Sequence, residues 1–220
     1  MKTRWLAVAA VAIAFSVLLA PTRVVPAWAQ MGQTPPLDQL SGDEFDKAFL
    51  REMTMHHAMA VEMARPVVAN ASHQELRDLA QSIVDDQMRE IAQMRAWAKD
   101  WYGFDIPDHV AMMDQMMAPG HGMPGMGDGG MGMPMHPGMP MNQMHGMSMM
   151  ESLRKLPAQR LEVVFMSQMI PHHQGAIDMA NLVPDRASHQ ELKDLARDIN
   201  SSQGDEISTM NGWLASWYSL

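Results

Sequence analysis

Two short stretches, MTMHHAMAVEMA at residues 53–64 and MIPHHQGAIDMA at residues 169–180, each set a pair of adjacent histidines among methionines. Imidazole nitrogen and thioether sulfur are both metal donors. Thioether is soft and neutral, suited to Cu(I) or Ag(I), whereas imidazole adds affinity for Cu(I), Cu(II) or Zn(II). The first stretch offers Met53, His56, His57 and Met63, and the second offers Met169, His172, His173 and Met179. At helical spacing, methionine is also ordinary adaptable core filler, so the stretches alone leave both uses open.

A third group of donors lies between them. Residues 105–150 hold 15 methionines together with His109, His121, His136 and His145. The principal donors there are His121, Met123, Met126, Met131, Met133, Met135, His136, Met139, Met141, Met144, His145 and Met147. Glycine and proline are so frequent that the segment is expected to hold neither helix nor strand, and therefore to have no core in which thioethers could be buried. Runs such as MGMPMHPGMPM allow several overlapping two- and three-sulfur sites, which suit exchangeable loading better than one rigid catalytic centre. Compositional bias without a binding role is the competing explanation.

Compartment and charge fit this ligand set. Lys2 and Arg4 precede an apolar run from Trp5 to Ala20, and Ala27-Trp28-Ala29 has the small-x-small pattern of a signal-peptidase site. Residues 1–29 are therefore read as an export signal and 30–42 as a short leader, placing the mature chain in a periplasm or outside the cell. Retention of the apolar run as a membrane anchor is the alternative; no later segment is long and apolar enough to span. The chain has no cysteine, which excludes a disulfide framework, thiol catalysis and thiolate metal sites. In an oxidising compartment, cysteine would be drawn into disulfides while thioether remains available to coordinate. After cleavage, 13 Lys and Arg face 25 Asp and Glu. That balance gives no reason to bind nucleic acid and some reason to attract cations.

The elements that position these donors are duplicated. Residues 45–102 align with 161–218 without a gap, 25 of the 58 positions being identical, which marks two copies of one unit. In the first copy, buried-type positions recur at Phe49, Met53, His56, Ala60, Met63 and Val67, in alternating steps of four and three. A second stripe runs Leu76, Ala80, Ile83, Gln87, Glu90, Met94, Trp97 and Trp101, and all eight recur as Leu192, Ala196, Ile199, Gln203, Glu206, Met210, Trp213 and Trp217. Each unit, 43–104 and 151–220, is thus expected to be a helical hairpin. Ser41 to Glu44 and Ser72 to Glu75 read as capping boxes, with a break from Pro66 to Ala71. Two hairpins joined by the 105–150 loop pack most simply as an all-α four-helix bundle, with Trp97, Trp101, Trp213 and Trp217 closing one end.

On this frame His56 and His172 lie on the apolar stripe, and His57 and His173 lie about 100° round, near the seam. Gln87, Glu90, Gln203 and Glu206 interrupt the partner stripe, and a buried glutamate must be paired. An internal network, with imidazole N–H groups donating to these oxygens, satisfies both sides. The same pairing would orient an imidazole that binds metal through its other nitrogen. Pro171, where the first unit has Met55, removes a helical hydrogen bond to Ser167; it is either a tolerated kink or a device that re-aims His172 and His173. His73 and His189 are expected at exposed first-turn positions, outside the principal site.

The HH-x-x-A-x-x-MA segments at His56–Ala64 and His172–Ala180, the SHQEL-x-DLA segments and the Q-x-x-EI-x-x-M-x-x-W endings resemble the domain of unknown function 305 family. The resemblance covers most of residues 44–219 outside the loop and implies a ferritin-like helical bundle. It also implies an exported protein of a group in which some members bind copper and support copper tolerance. The joint expectation is a periplasmic protein that buffers or sequesters Cu(I), with Cu(II) or Ag(I) as variants. Metal ions are its ligands, a copper transporter or chaperone is its partner, and it has no organic cofactor. A di-iron enzyme is disfavoured, because the Glu-x-x-His pairs such sites need are absent: Met53 and Met169 stand three residues before His56 and His172. A copper-dependent oxidase and a metal-independent partner-binding bundle are the remaining alternatives.

Overall fold

The computed structural model describes residues 35–117 and 155–220. Among these the secondary structure is entirely helical. After a 3-10 turn at Leu37–Gln39, α1 spans Gly42–Asn70, α2 Gln74–Tyr102, α3 His109–Met117, α4 Ala158–Ala180, α5 Val183–Arg186 and α6 Gln190–Tyr218. The four long helices form the two expected hairpins: α1 packs on α2, α4 packs on α6, and the hairpins meet through α1 and α4. No helix among the described residues is long and apolar enough to cross a membrane. The segment expected to be the export signal, and the leader through Thr34, lie outside the described residues.

The hairpins dock head to tail. One core cluster joins Phe45 and Phe49 at the start of α1 to Met94 near the end of α2, Ala180 at the end of α4, and Leu192 at the start of α6. The other joins Val67 at the end of α1 and Leu76 at the start of α2 to Leu161, Phe165 and Leu214 of the second hairpin. Each fully buried Phe, Leu or Met side chain stabilises the bundle by about 1.5–3 kcal/mol. With this docking, equivalent positions in the two copies fall at opposite ends. The tryptophans expected together are therefore split: Trp97 stacks on Trp101 (centroids 4.9 Å apart) in the first cluster, and Trp213 on Trp217 (4.8 Å) in the second.

Neither capping box forms. Ser41 and His73 occupy the N-cap positions of α1 and α2 without a side-chain cap hydrogen bond. The N–H groups at the start of α2 go instead to Glu162, a carboxylate of the other hairpin. Pro66 does not break its helix: α1 continues to Asn70, whose side-chain amide donates to the Pro66 carbonyl at 3.0 Å. Pro171 likewise sits inside α4.

Part of the segment expected to lack structure is helical. Residues 108–117, DHVAMMDQMM, contain neither glycine nor proline, and Asp108 starts α3 by accepting the Ala111 N–H at 2.9 Å. Arg95 anchors the turn, donating to Asp108 at 3.0 Å and to the Ile106 carbonyl at 3.1 Å. Val110 then packs with Ala58, Val61 and Ile91. A local excess of glycine and proline further on says nothing about these ten residues.

Candidate metal centre

The histidine doublets meet where α1 crosses α4. The rings of His56 and His172 lie 3.7 Å apart, centroid to centroid, with planes inclined by 37°. His57 and His173 flank this pair, at 6.4 and 6.3 Å from their chain neighbours. A doublet covers two directions about 100° apart on a helix, and α1 has two neighbours to cover. His56 faces the other hairpin, while His57, fully buried, turns to α2 and places Nε2 2.6 Å from the Glu90 carboxylate. In the second copy His173 Nε2 lies 2.6 Å from Glu206, at an angle outside the hydrogen-bonding range.

The expected His–Glu pairing therefore falls on the other histidine of each doublet, as a hydrogen bond for His57 and as a close approach for His173. The single apolar stripe assigned His56 and His172 to the core and left His57 and His173 at the seam. The buried arc of α1 is wider than one stripe because two helices pack on it, so both imidazoles are covered. With Pro171 in the second copy, ring separations and carboxylate distances agree with those of the first, but the hydrogen bond that His57 makes is not matched at His173.

Several polar atoms at this crossing have no partner. They are Nδ1 of His56 and His57, both ring nitrogens of His172 and of His173, and Oε1 of Gln87 and Gln203. Burial pushes the His56 imidazolium down to a pKa of about 3, reinforced by the nearby His57 and His173 and opposed by the His172 backbone carbonyl, which accepts from the charged ring. Burial, then the charges of His56, His173 and His57, likewise hold His172 well below the ordinary histidine value. Both are neutral imidazoles at pH 7, the form that donates a lone pair to a metal. Unsatisfied buried nitrogens cost stability unless something binds them. Among the described residues, no three His, Asp or Glu side chains are arranged to share one ion.

A second pair of constellations was missed by sequence reasoning. Glu162 of α4 is fully buried and accepts the N–H groups of Ser72 and His73, the His73 ring Nδ1 at 2.8 Å and the Tyr218 hydroxyl. Asp46 of α1 does the same for the other copy, taking Ser188 N–H at 3.1 Å, His189 N–H at 3.2 Å, His189 Nδ1 at 2.8 Å and the Tyr102 hydroxyl at 2.9 Å. His73 stacks on Trp217 and His189 on Trp101, each at 3.9 Å. These histidines are half-buried latches between hairpins and not exposed first-turn residues. A signal was present: stepping the α1 stripe back by three from Phe49 reaches Asp46, and its copy is Glu162, an acid kept acidic on a core face.

The family model described as "Domain of unknown function (DUF305)" matches residues 46–214, with a second match over 22–98. The chain belongs to the DUF305 family. Solved structures similar to it include CopM in its Cu(I)-bound form, 29% identical with a TM-score of 0.57, covering 79% of this chain and 97% of that one. CopM in its Cu(II)-bound form is 30% identical, with a TM-score of 0.56 and coverage of 79% and 98%. A DUF305 protein of Streptomyces coelicolor, titled as a candidate secreted protein, is 29% identical, with a TM-score of 0.56 and coverage of 77% and 91%. CopM is also matched in an Ag-bound form. Comparison with curated protein sequences finds no match.

The methionines expected as ligands divide into three groups. Met53, Met63 and Met169 are buried in the apolar clusters, as core filler would be. Met179 is only half-buried and reaches an open cleft of about 490 Å³, whose wall also includes Met55, His56, Met59 and His109. The loop donors from His121 to Met147 lie outside the described residues. Met55 and Met59 were passed over because they sit one position off the apolar stripe.

Proposed function

We propose that the protein is an exported metal carrier that buffers or sequesters copper, mainly as Cu(I), with Cu(II) and Ag(I) as further cargo, and thereby contributes to metal tolerance. It catalyses no reaction. Ions load and leave by exchange with a copper transporter or chaperone of the periplasm.

The observation that supports this most directly is the contact of two neutral imidazoles, one from each hairpin, with nitrogens that no protein group satisfies. A structural histidine pair would be expected to close its hydrogen bonds, as His73 and His189 do. His57, held by Glu90 at Nε2 with Nδ1 still open, and His173, with Glu206 2.6 Å from its Nε2, stand ready to steady the centre. That arrangement of imidazole and carboxylate raises ligand basicity and fixes ring orientation. The existence of copper- and silver-bound forms of CopM, a relative with the same helical frame, supports the choice of ion.

The test is an anaerobic Cu(I) titration of the chain from Gln30 onward against a chromogenic competitor. The wild type should compete, and His56→Ala and His172→Ala should each weaken the tightest class of sites by at least about tenfold, the range that follows loss of ligand-supporting groups. A wild-type protein that leaves the competitor's Cu(I) untouched would overturn the reading.

A further inference from the structure

Resting on this metal reading, we infer that the cleft beside α1 is a second thioether–imidazole site for a soft monovalent ion, built mainly on the first hairpin with Met179 added from α4, sharing His56 with the crossing and without a counterpart beside α4. Its donors are Met55, His56 and Met59 on α1, Met179 on α4 and His109 at the start of α3. Met55 and Met59 are one helical turn apart and share a face with His56. All five side chains are partly exposed, so an ion can reach them without unpacking the core.

The chemistry of the wall favours a soft cation. Three neutral sulfurs and two imidazoles match Cu(I) or Ag(I) and serve hard ions poorly. The charges around them do not oppose a cation. Glu52 and Asp105 also line the cleft, against one guanidinium, Arg51. Arg51 is drawn over the Phe104 ring at 4.0 Å, and Asp105 is paired to Lys99 at 2.8 Å. His56 lines the cleft, and its Nδ1, buried behind the exposed part of the ring, has no protein partner.

The duplication supplies the control. In the second copy Met55 is replaced by Pro171, Met59 by Gly175 and Glu52 by Gln168, while Met179 corresponds to Met63, which is buried in the core. His109 lies outside the duplicated segment, 45–102. Gly175 has a reason to be small: a Cβ there would lie 3.3 Å from Nε2 of His56. The methionine that builds the cleft on one side would, on the other, collide with the imidazole of the facing helix. The same crossing that pairs the doublets thus leaves room for only one such site.

The experiment is an Ag(I) titration of the chain from Gln30 onward carrying 13C-methyl methionine, followed by NMR, with Met55→Leu, Met59→Leu and Met63→Leu used to assign and compare. The expected result is a shift of the Met55, Met59 and Met179 methyl signals, no shift of Met63, and loss of one bound equivalent in the Met55→Leu/Met59→Leu double variant. If Ag(I) binds but these three methyls stay in place at saturation, the cleft inference fails and the carrier reading stands. If no methionine signal moves and no Ag(I) is retained, the carrier reading itself falls, and the cleft with it. The wild-type spectra decide the matter even where a variant folds poorly.

Discussion

Asp46 in the first hairpin and Glu162 in the second have the same four partners from equivalent positions; Met55 and Met59 in the first have Pro171 and Gly175 opposite them in the second. Where the two hairpins hold each other, both copies have kept one solution. Where one copy borders the α3 segment, they have parted. A duplicated fold can specialise this way, because the latch requires two equal halves while a surface cleft requires one.

The sharpest way to break the first half of that comparison is to remove the latches. Glu162→Gln keeps the size of the side chain but leaves its four donors facing a neutral amide, and Asp46→Asn does the same at the other end. Breaking a buried charged network by altering one partner costs about 3–5 kcal/mol, so each variant should lose roughly 2–4 kcal/mol in urea unfolding, allowing for the surviving amide bonds. Similar losses are expected. A large loss at one end and none at the other would show that the latches are alike in geometry only. Acid should have the same effect as mutation. Burial raises the Glu162 pKa, but the bonds from Tyr218, His73 and Ser72 outweigh it and hold the group below the ordinary glutamate value. A carboxylate depressed on folding stabilises above its unfolded pKa, and that contribution is lost as pH falls through the folded value. Glu162→Gln should flatten this acid limb.

The histidine crossing sharpens the comparison at milder pH. His56 titrates near pH 3 in the fold against an ordinary 6.5. Between these values the unfolded chain binds the proton and the folded one does not, so stability rises with pH, by about 1.4 kcal/mol per unit for each such group at most. The stabilising contribution is complete above pH 6.5 and erodes below it. His56→Leu and His172→Leu should each reduce the slope of stability between pH 6 and 4, and by similar amounts, since the two rings share one environment. An unchanged slope would mean that the imidazoles open to solvent before they protonate. Metal uptake by the folded protein should, for the same reason, persist below pH 6, where an exposed histidine site would already be losing ions to protons.

Much of the frame could be read in the chain. The 116-residue offset, the eight repeated stripe positions and the short α1–α2 break specify two helical hairpins, and the fold has them. Docking direction could not be read, because the stripe positions are the same for a parallel or a head-to-tail pair; that is why the tryptophans were expected at one end. The doublets were legible as candidate donors, but which imidazole turns to the glutamate of the partner helix was not. A single stripe describes a helix with one neighbour, and α1 has α2 on one side and α4 on another. The latches escaped because their caps come from the other hairpin, which no local capping motif encodes. Met55, Met59 and His109 became visible as a group only when the short helix α3, inside a segment dominated by glycine and proline, was seen to lie against α1.

Gly175 tests the divergence itself. Gly175→Ala puts a methyl group 3.3 Å from Nε2 of His56, and relief of so small an overlap in a packed region costs about 1–2 kcal/mol, partly offset by the roughly 0.8–1 kcal/mol that alanine gains over glycine inside a helix. The net change in stability should be small, but the His56 ring must move. In a metal titration this variant should therefore alter the tightest sites while hardly affecting the melting temperature. Equal metal binding in Gly175→Ala would mean that the close approach has no role in setting the imidazole pair.

The smallest effect separates accident from constraint. Gly212 in α6 stands where α2 has Ala96, and a Cβ built there meets nothing within 4 Å. Gly212→Ala should raise stability by about 0.5–1 kcal/mol through helix propensity alone. Ser219, left-handed at φ 58, stands where α2 ends on Gly103 at φ 71, and Ser219→Gly should likewise gain up to about 1 kcal/mol by relieving a side chain from that conformation. Neither substitution touches the crossing, the latches or the cleft, so metal binding should stay as in the wild type. If Gly212→Ala gains its increment and Gly175→Ala does not, the two glycines of the second copy differ in kind: one is a substitution the helix merely tolerates, and the other makes room for the partner hairpin's imidazole.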